Sequence, residues 1–132
     1  MTRILRKTIA MIAMAFIPGS AVAQDISGLW RTPANAQGHL EIEFQNCGAA
    51  LCGTIVRARN PEGETALYEH VGKRMIWDMM PADEAASWNG GKIWDPRNGR
   101  TFNSRMTLRD DQLDVAGCVL GICQSQTWLR LR

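Results

Sequence analysis

Cysteine is the residue type with the most direct chemistry in this sequence. It occurs four times in two pairs of equal spacing. Cys47 and Cys52 frame the segment CGAALC, and Cys118 and Cys123 frame CVLGIC. Thiolates can bind zinc, but zinc knuckles usually have a tighter spacing. An even number of cysteines is typical of disulfides instead in a small chain that is exported, and the first 23 residues, described below, predict export. We therefore predict disulfides and no metal site.

The four cysteines can be paired in three ways, and the spacing favours the two local disulfides, 47–52 and 118–123. We expect each segment to be a hairpin with a two-residue loop, Ala49-Ala50 in the first and Leu120-Gly121 in the second. The two cysteines of each pair then face each other at a non-hydrogen-bonded position. Side chains approach most closely there, so a disulfide closes with relaxed geometry.

Residues that could act as an acid, a base or a nucleophile are scattered along the chain. His39 and His70 have no partner at a short spacing, so we expect both to be solvated loop histidines. Glu41 and Glu43 alternate along a predicted strand, which indicates an outward, solvated face. The segment 95–99 has the Pro and Asn-Gly of a turn rather than the ligands of a calcium loop. The sequence predicts no catalytic residue, no metal and no cofactor.

Large apolar side chains form a more promising group. Alternation along KRMIWDMM places three of them on one face of a predicted strand, and two tryptophans flank a glycine turn. Such surfaces adapt to apolar ligands or to protein partners. The candidate contact residues are Met75, Trp77, Met79, Trp88 and Trp94. The alternative, which we favour for a chain of this length, is that these side chains fill the interior of a small barrel.

The elements that must position these residues are short segments with the alternation of β-strands, separated by turn residues. The predicted strands are 25–32, 40–47, 52–59, 73–80, 100–109, 112–118 and 123–131, with a very short strand between two turns in 88–99. The first hairpin places Ile55 opposite Phe44. Pro81 followed by acidic residues favours one short helix near 81–87.

About eight strands joined by neighbour-to-neighbour turns close naturally into a barrel, because closure removes exposed strand edges. The predicted fold class is all-β, a small antiparallel up-and-down β-barrel forming a single domain over 24–132. A two-sheet sandwich is the alternative architecture.

The first 23 residues have the pattern of a cleavable secretory signal. Arg3, Arg6 and Lys7 precede the apolar run 9–17, and Ala21-Val22-Ala23 supplies the small residues that signal peptidase accepts. The alternative is a membrane anchor, but a spanning helix needs about 20 apolar residues and this run is far shorter. We predict cleavage after Ala23 and a periplasmic or secreted protein without a membrane span.

Cleavage at that point changes the charge of the protein. The whole chain has a net charge of +2, but three of its 15 Lys and Arg residues precede residue 24 while all 13 Asp and Glu residues follow it. The predicted mature domain therefore has a net charge of −1. That balance disfavours nucleic acid or an anionic membrane surface as a partner.

Gly28-Leu29-Trp30 on the first predicted strand resembles the G-x-W signature of lipocalin-like barrels. The resemblance implies that Trp30 closes the floor of the barrel and that an arginine of the last strand packs on it. Arg130 is the matching position, so we expect a cation–π contact between Trp30 and Arg130. The remaining lipocalin motifs are not visible in this chain.

A second resemblance covers most of residues 24–132. It is carried by G-L-W at 28–30, L-C-G-T-I-V at 51–56, Asn60-Pro61 in the next loop, the W-N-G-G-K-I-W-D-P-R-N-G-R-T-F block at 88–102 and the closing G-C…C-Q-S-Q-T-W-L-R at 117–130. Together they resemble domain-of-unknown-function family 2147, small exported bacterial proteins. This resemblance implies a lipocalin-like β-barrel without an established activity. The loop after Asn60-Pro61 is more acidic here than is usual in that family.

Two functions remain open after the sequence is read. The first is a non-enzymatic barrel that binds a small apolar or lipid-like ligand at one mouth. The alternative is a protein-interaction module, such as an inhibitor of an exported hydrolase or an envelope stress factor, contacting its partner through Trp94 and the 95–99 loop. An enzyme is disfavoured because no acid–base constellation is present.

Overall fold

The structure, a computed structural model, describes residues 10–15 and 25–132. The predicted signal peptide lies outside the described residues, apart from 10–15, which have no regular secondary structure. Nine strands follow one another along the chain. They are β1 (Gly28–Arg31), β2 (His39–Cys47), β3 (Ala50–Arg59), β4 (Thr65–Ala66), β5 (Arg74–Pro81), β6 (Ser87–Asp95), β7 (Arg100–Arg109), β8 (Gln112–Val119) and β9 (Ile122–Arg130).

Eight of these strands form a closed antiparallel barrel. The hydrogen-bonded order is β2-β1-β9-β8-β7-β6-β5-β3, and a further pairing of β2 with β3 closes the ring. The two-residue β4 adds to β3 outside that ring. The predicted all-β barrel with about eight strands is confirmed, and its continuous ring of pairing differs from a two-sheet sandwich.

The short helix expected near 81–87 is wrong, since no helix occurs in the described ranges. Pro81 is instead the last residue of β5 and pairs with Trp88. The five residues between the strands form a hairpin loop, closed by a hydrogen bond from the Ala82 N–H to the Ser87 carbonyl oxygen at 2.9 Å. Strand pairing of Pro81 with Trp88 and of Ser87 with Thr107 holds both ends of the expected helix in extended conformation.

Of the two turns expected around a short strand in 88–99, the structure has one. The turn at 96–99 is present, but β6 runs unbroken through the first glycine pair. Asn89-Gly90-Gly91 forms a β-bulge, with a register shift between Trp88 and Gly91. A Cβ at Gly91 would lie 2.6 Å from the Trp77 carbonyl oxygen, so the glycine is needed for close packing of β5 and β6 rather than for a turn.

Both preferred disulfides, 47–52 and 118–123, are present. The β8–β9 hairpin has the expected register, with Cys118 opposite Cys123. The β2–β3 hairpin does not, because Cys47 pairs with Ala50 and the loop is Gly48-Ala49. Gly48 has a φ of 68°, which suits the first central position of a tight hairpin turn.

That one-step difference alters the whole β2–β3 hairpin. Cys52 lies opposite Gln45, and Phe44 lies opposite Gly53 instead of the expected Ile55. A bulge between Glu41 and Ile42 shifts the register again. The disulfide therefore joins the strands diagonally, and the expected face-to-face position of the first cysteine pair is wrong.

Consecutive hairpins alternate between the two ends of the barrel because all strands are antiparallel. One end of the barrel carries the loops 48–49, 82–86 and 110–111, together with the start of β1 and the end of β9, and we call it the closed end. The open end carries the loops 32–38, 60–73, 96–99 and 120–121. The two disulfides thus staple opposite ends of the molecule.

Candidate functional site

A cavity of about 1070 Å³ occupies the open end of the barrel. All four open-end connections contribute to its wall or rim, and the closed-end loops contribute nothing. Ligand pockets in proteins commonly have volumes of about 300–1,000 Å³. Our expectation of an interior filled throughout is therefore wrong for this half of the barrel.

Strand side chains that point inward make the inner wall of the cavity apolar. Because side chains alternate between the two faces of a strand, each strand directs one or two side chains into the part of the barrel that holds the cavity. The apolar wall consists of Leu40, Ala58, Met75, Ile93, Phe102 and Val115. Strand β9 contributes polar groups, the side-chain amides of Gln124 and Gln126. The wall is thus suited to apolar surface with a small number of hydrogen-bonding groups.

Three aromatic rings form a side wall near the mouth. The His70 ring packs edge-on against Tyr68 and Trp94, with centroid distances of 5.1 and 4.9 Å. Lys73 Nζ lies 5.2 Å from the Trp94 centroid, within the range of a cation–π contact. The segment between β4 and β5 therefore closes over β6 through aromatic contacts.

The histidines are not the solvated side chains that we expected. The His70 side chain is only 17% exposed, its Nε2 lies 3.3 Å from Glu69 Oε1, and its Nδ1 is buried without a hydrogen-bond partner. His39 begins β2 at the cavity rim, where burial and the nearby Arg31 lower its pKa. Both histidines line the cavity, and the acid–base group in contact with His70 is the carboxylate of the adjacent Glu69.

Glu41 is buried, contrary to the expected solvated face, because the bulge after it changes the alternation of β2. Its two carboxylate oxygens accept hydrogen bonds from Arg57 Nη1 at 2.5 Å and Arg59 Nε at 3.0 Å. Burial opposes ionisation, but the hydrogen bonds and charges of both arginines outweigh it and lower the Glu41 pKa. Glu43 remains exposed, as expected.

Arg59 extends this ion pair to the mouth of the barrel. Its Nη1 also donates to the Gly63 carbonyl oxygen at 3.2 Å and to Thr65 Oγ1 at 3.4 Å. Thr65 opens the short strand β4, which leads into the aromatic wall. A buried carboxylate on β2 therefore helps to hold the loop that borders the cavity.

The turn at 96–99 presents a second ion pair at the rim. Arg97 Nε and Nη2 donate to the two carboxylate oxygens of Asp95 at 3.0 and 2.8 Å. These hydrogen bonds lower the Asp95 pKa, while burial and the charges of Glu69 and Asp95 raise the pKa of Tyr68. Asp95 is thus committed to Arg97 and is not available as a general base.

The structure divides the five large side chains that we had grouped by sequence. Met75 and Trp94 line the cavity, while Met79 and Trp88 are buried in the core away from it. Trp77 is half-buried outside the core and pairs with Lys92. The expected common face of Met75, Trp77 and Met79 is wrong.

The cause is an irregularity in the middle of β5. Asp78 has a φ of 57°, and the pairing with β3 shifts register in this region. Ile76 and Met79, three residues apart, both point into the core. Strict alternation cannot hold across such a bulge. Sequence reasoning also missed Tyr68 and expected His70 in solvent, because their loop has no strand pattern that would place them at the cavity.

The closed end is filled where the open end is hollow. Trp30 is completely buried, and its Nε1–H donates to the Ile26 carbonyl oxygen at 2.9 Å. Arg130 Cζ lies 4.4 Å from the centroid of the Trp30 ring. The rings of Phe44 and Trp128 pack beside it, with centroids 6.0 Å apart. These large side chains fill the interior of the barrel at this end.

Across residues 10–15 and 25–132, no three His, Cys, Asp or Glu side chains lie close enough to hold a metal ion. We also find no helix there that is long and apolar enough to cross a membrane. The site is therefore a cavity suited to the apolar surface of a ligand, with polar groups at its rim.

Comparison with known proteins agrees with the barrel fold. Residues 28–130 match domain-of-unknown-function family 2147, described as an uncharacterised protein conserved in bacteria. The fold is similar to that of HP1028 from Helicobacter pylori, described as belonging to the lipocalin family. The TM-score is 0.65 at 16% identity, over 82% of this chain and 84% of that one. No curated protein gives a significant match.

Proposed function

Because the chain belongs to domain-of-unknown-function family 2147, which has no established activity, we propose its function from the cavity: it is an exported, non-enzymatic binding protein for a small apolar or lipid-like ligand. The observation that carries this proposal is the cavity of about 1070 Å³ with an apolar wall and an open mouth. A protein interior is otherwise packed to high density. An open space of this size with an apolar wall therefore supports a binding role.

The distribution of polarity in the cavity indicates how a ligand would lie. The deep wall around Met75, Ile93 and Phe102 is apolar, whereas the ion pair of Asp95 with Arg97 lies at the rim. An apolar chain or ring would enter first and leave a polar head near the rim. This arrangement suits amphipathic molecules better than fully polar metabolites.

Binding without catalysis accounts best for the charged groups near the cavity. The Glu41 carboxylate is held by two arginines and Asp95 by a third. General acid–base catalysis needs a group free to exchange a proton with a substrate. Residues 24–132 as the mature, exported domain form part of the same proposal, which the two disulfides support.

The alternative, an inhibitor-like interaction module, receives less support. Its expected anchor, Trp94, is half-buried against His70 and the cavity rather than displayed on the surface. The adjoining Arg97 is engaged by Asp95 within the same turn. Trp94 is therefore not the exposed aromatic anchor that such interfaces commonly use, and Arg97 is already paired.

A neutral apolar dye, N-phenyl-1-naphthylamine, tests the proposal by fluorescence titration. Phe102→Asp places a charge in the apolar wall and is expected to raise the Kd for the dye about tenfold or more. Thr101→Asp is the matched control, because Thr101 is the exposed neighbour on the same strand. Absence of dye binding to the unaltered protein, or equal effects of the two substitutions, would refute the proposal.

A further inference from the structure

The rim of the open end displays four apolar side chains to solvent. Three belong to the β8–β9 hairpin, with Val119, Leu120 and Ile122 exposed by 51%, 97% and 74%. The fourth, Leu67, follows β4 and is fully exposed. All four border the mouth of the cavity. Grouped exposed apolar side chains of this kind mark interaction sites.

Leu120 occupies a backbone conformation that disfavours leucine. Its φ is 50° and that of Gly121 is 79°, so both central residues of the two-residue loop have positive φ. Hairpins of this kind strongly prefer Asn-Gly or Gly-Gly, because a branched side chain is strained there. Leu120 also buries almost none of its surface. The stability of the fold does not account for a leucine at this position.

The same hairpin is free of charge over an unusual length. No Asp, Glu, Lys or Arg occurs between Asp114 and Arg130. The hairpin loops of the closed end differ sharply, since they carry four carboxylates and no cation: Asp83, Glu84, Asp110 and Asp111. The tip of the β8–β9 hairpin can therefore approach an apolar medium without desolvating a charged side chain of its own, whereas the 82–86 and 110–111 loops of the closed end cannot.

We propose that the Val119–Ile122 tip inserts into the interfacial layer of a lipid bilayer and turns the mouth of the cavity toward the membrane. The tip is convex and projects beside an opening, and fluid lipid can surround such a shape without a matching pocket. A stable dimer would need about 800 Å² from each copy, more than the few hundred Å² that four side chains provide. The insertion is apolar, so it does not require anionic lipid and agrees with the weak net charge.

Membrane contact is separable from the proposed ligand-binding function. A molecule held in lipid could enter the cavity directly from the bilayer, but the tip would insert whatever the cavity holds. Phe102→Asp should therefore leave vesicle binding unchanged. Dye binding by the unaltered protein without vesicle binding would overturn this proposal alone, and vesicle binding without dye binding would overturn the proposed function alone. The two proposals thus fail independently.

Co-sedimentation of the purified protein with phosphatidylcholine vesicles tests the proposal. Leu120→Asn restores the preferred Asn-Gly loop, so it should raise the thermal midpoint while weakening vesicle binding about tenfold or more. Met80→Asn is the matched control, because Met80 is an exposed apolar residue near the closed end. It should leave binding unchanged. The same binding is expected at low and high salt.

A tryptophan reporter locates the contact directly. Leu120→Trp should shift the emission to shorter wavelength on adding vesicles and should be quenched by brominated phosphatidylcholine, whereas Met80→Trp should not. Failure of the unaltered protein to bind vesicles would overturn the proposal. So would equal effects at the two positions, or a Leu120→Asn effect seen only as a change from dimer to monomer.

Discussion

Trp30 and Trp94 belong to the same barrel and differ in almost every aspect of their surroundings. Trp30 has no exposed surface, donates its indole N–H to Ile26 and lies under the guanidinium of Arg130. Trp94 is half-buried, with an edge-on histidine on one side and the cavity on the other. The first tryptophan closes the molecule, while the second borders a space.

The difference between the two ends comes from the size of their inward side chains. The closed end brings together Trp30, Phe44 and Trp128 in one layer. At the open end, small residues such as Ala58 and Gly117 face the same interior. A barrel of fixed strand number has a fixed width, so side-chain volume decides whether a layer is filled or hollow. Stability and binding are therefore assigned to opposite ends, which the following substitutions test.

The largest expected effect is at the closed end. Trp30→Ala removes a fully buried ring and its hydrogen bond, and should lower the free energy of unfolding by about 3–5 kcal/mol. Urea unfolding monitored by circular dichroism measures this. If the loss were no larger than that for Trp94→Ala, the division of the barrel into a filled end and a hollow end would be wrong.

The disulfides give the next largest effect, one at each end. Replacing either pair by alanines opens a six-residue loop and should cost about 2 kcal/mol on the chain-entropy model. The Cys47–Cys52 pair should cost somewhat more, because Cys52 is completely buried. Removal of Cys118–Cys123 should also weaken vesicle binding, since it frees the tip. Equal vesicle binding by both double variants would contradict that assignment.

The buried Glu41 should make the open half sensitive to acid. Its pKa is lowered on folding from an ordinary value of 4.5, so its stabilisation is complete above that pH and is lost as the pH falls through the folded value. Glu41→Gln should cost about 1–2 kcal/mol near neutral pH and flatten the acid limb of the stability curve. Glu43→Gln, on the exposed face of β2, is the control. Identical acid limbs for the two variants would exclude this role.

The smallest expected loss of stability is at the cavity wall. Trp94→Ala should lower the free energy of unfolding by about 1 kcal/mol, because the ring is half-buried and borders existing space. The same substitution should weaken binding of the dye about tenfold. A large loss of stability with unchanged dye binding would show that Trp94 is a core residue.

Much of the architecture was predictable from particular residues. Turn residues and alternation located almost every strand, and the spacing of the cysteines favoured the two disulfides that form. The errors cluster at irregular backbone. The bulge after Glu41, the positive φ of Asp78 and the bulge at Gly91 each shift side chains to the other face. The alternation of apolar and polar residues along a strand does not show where a bulge interrupts it.

The sequence alone determined the fold class, because alternation, turn chemistry and paired cysteines act over a few residues at a time. The position of the cavity was decided only by tertiary structure. It depends on which side chains meet across the barrel, and these come from strands far apart in the chain. Tyr68, His70 and Arg59, which the buried Glu41 holds, became part of one mouth because closure of the ring brought β2, β3, β5 and β6 together. The alternation within each strand predicts which side chains point inward, but only closure of the barrel determines the volume of the cavity between them.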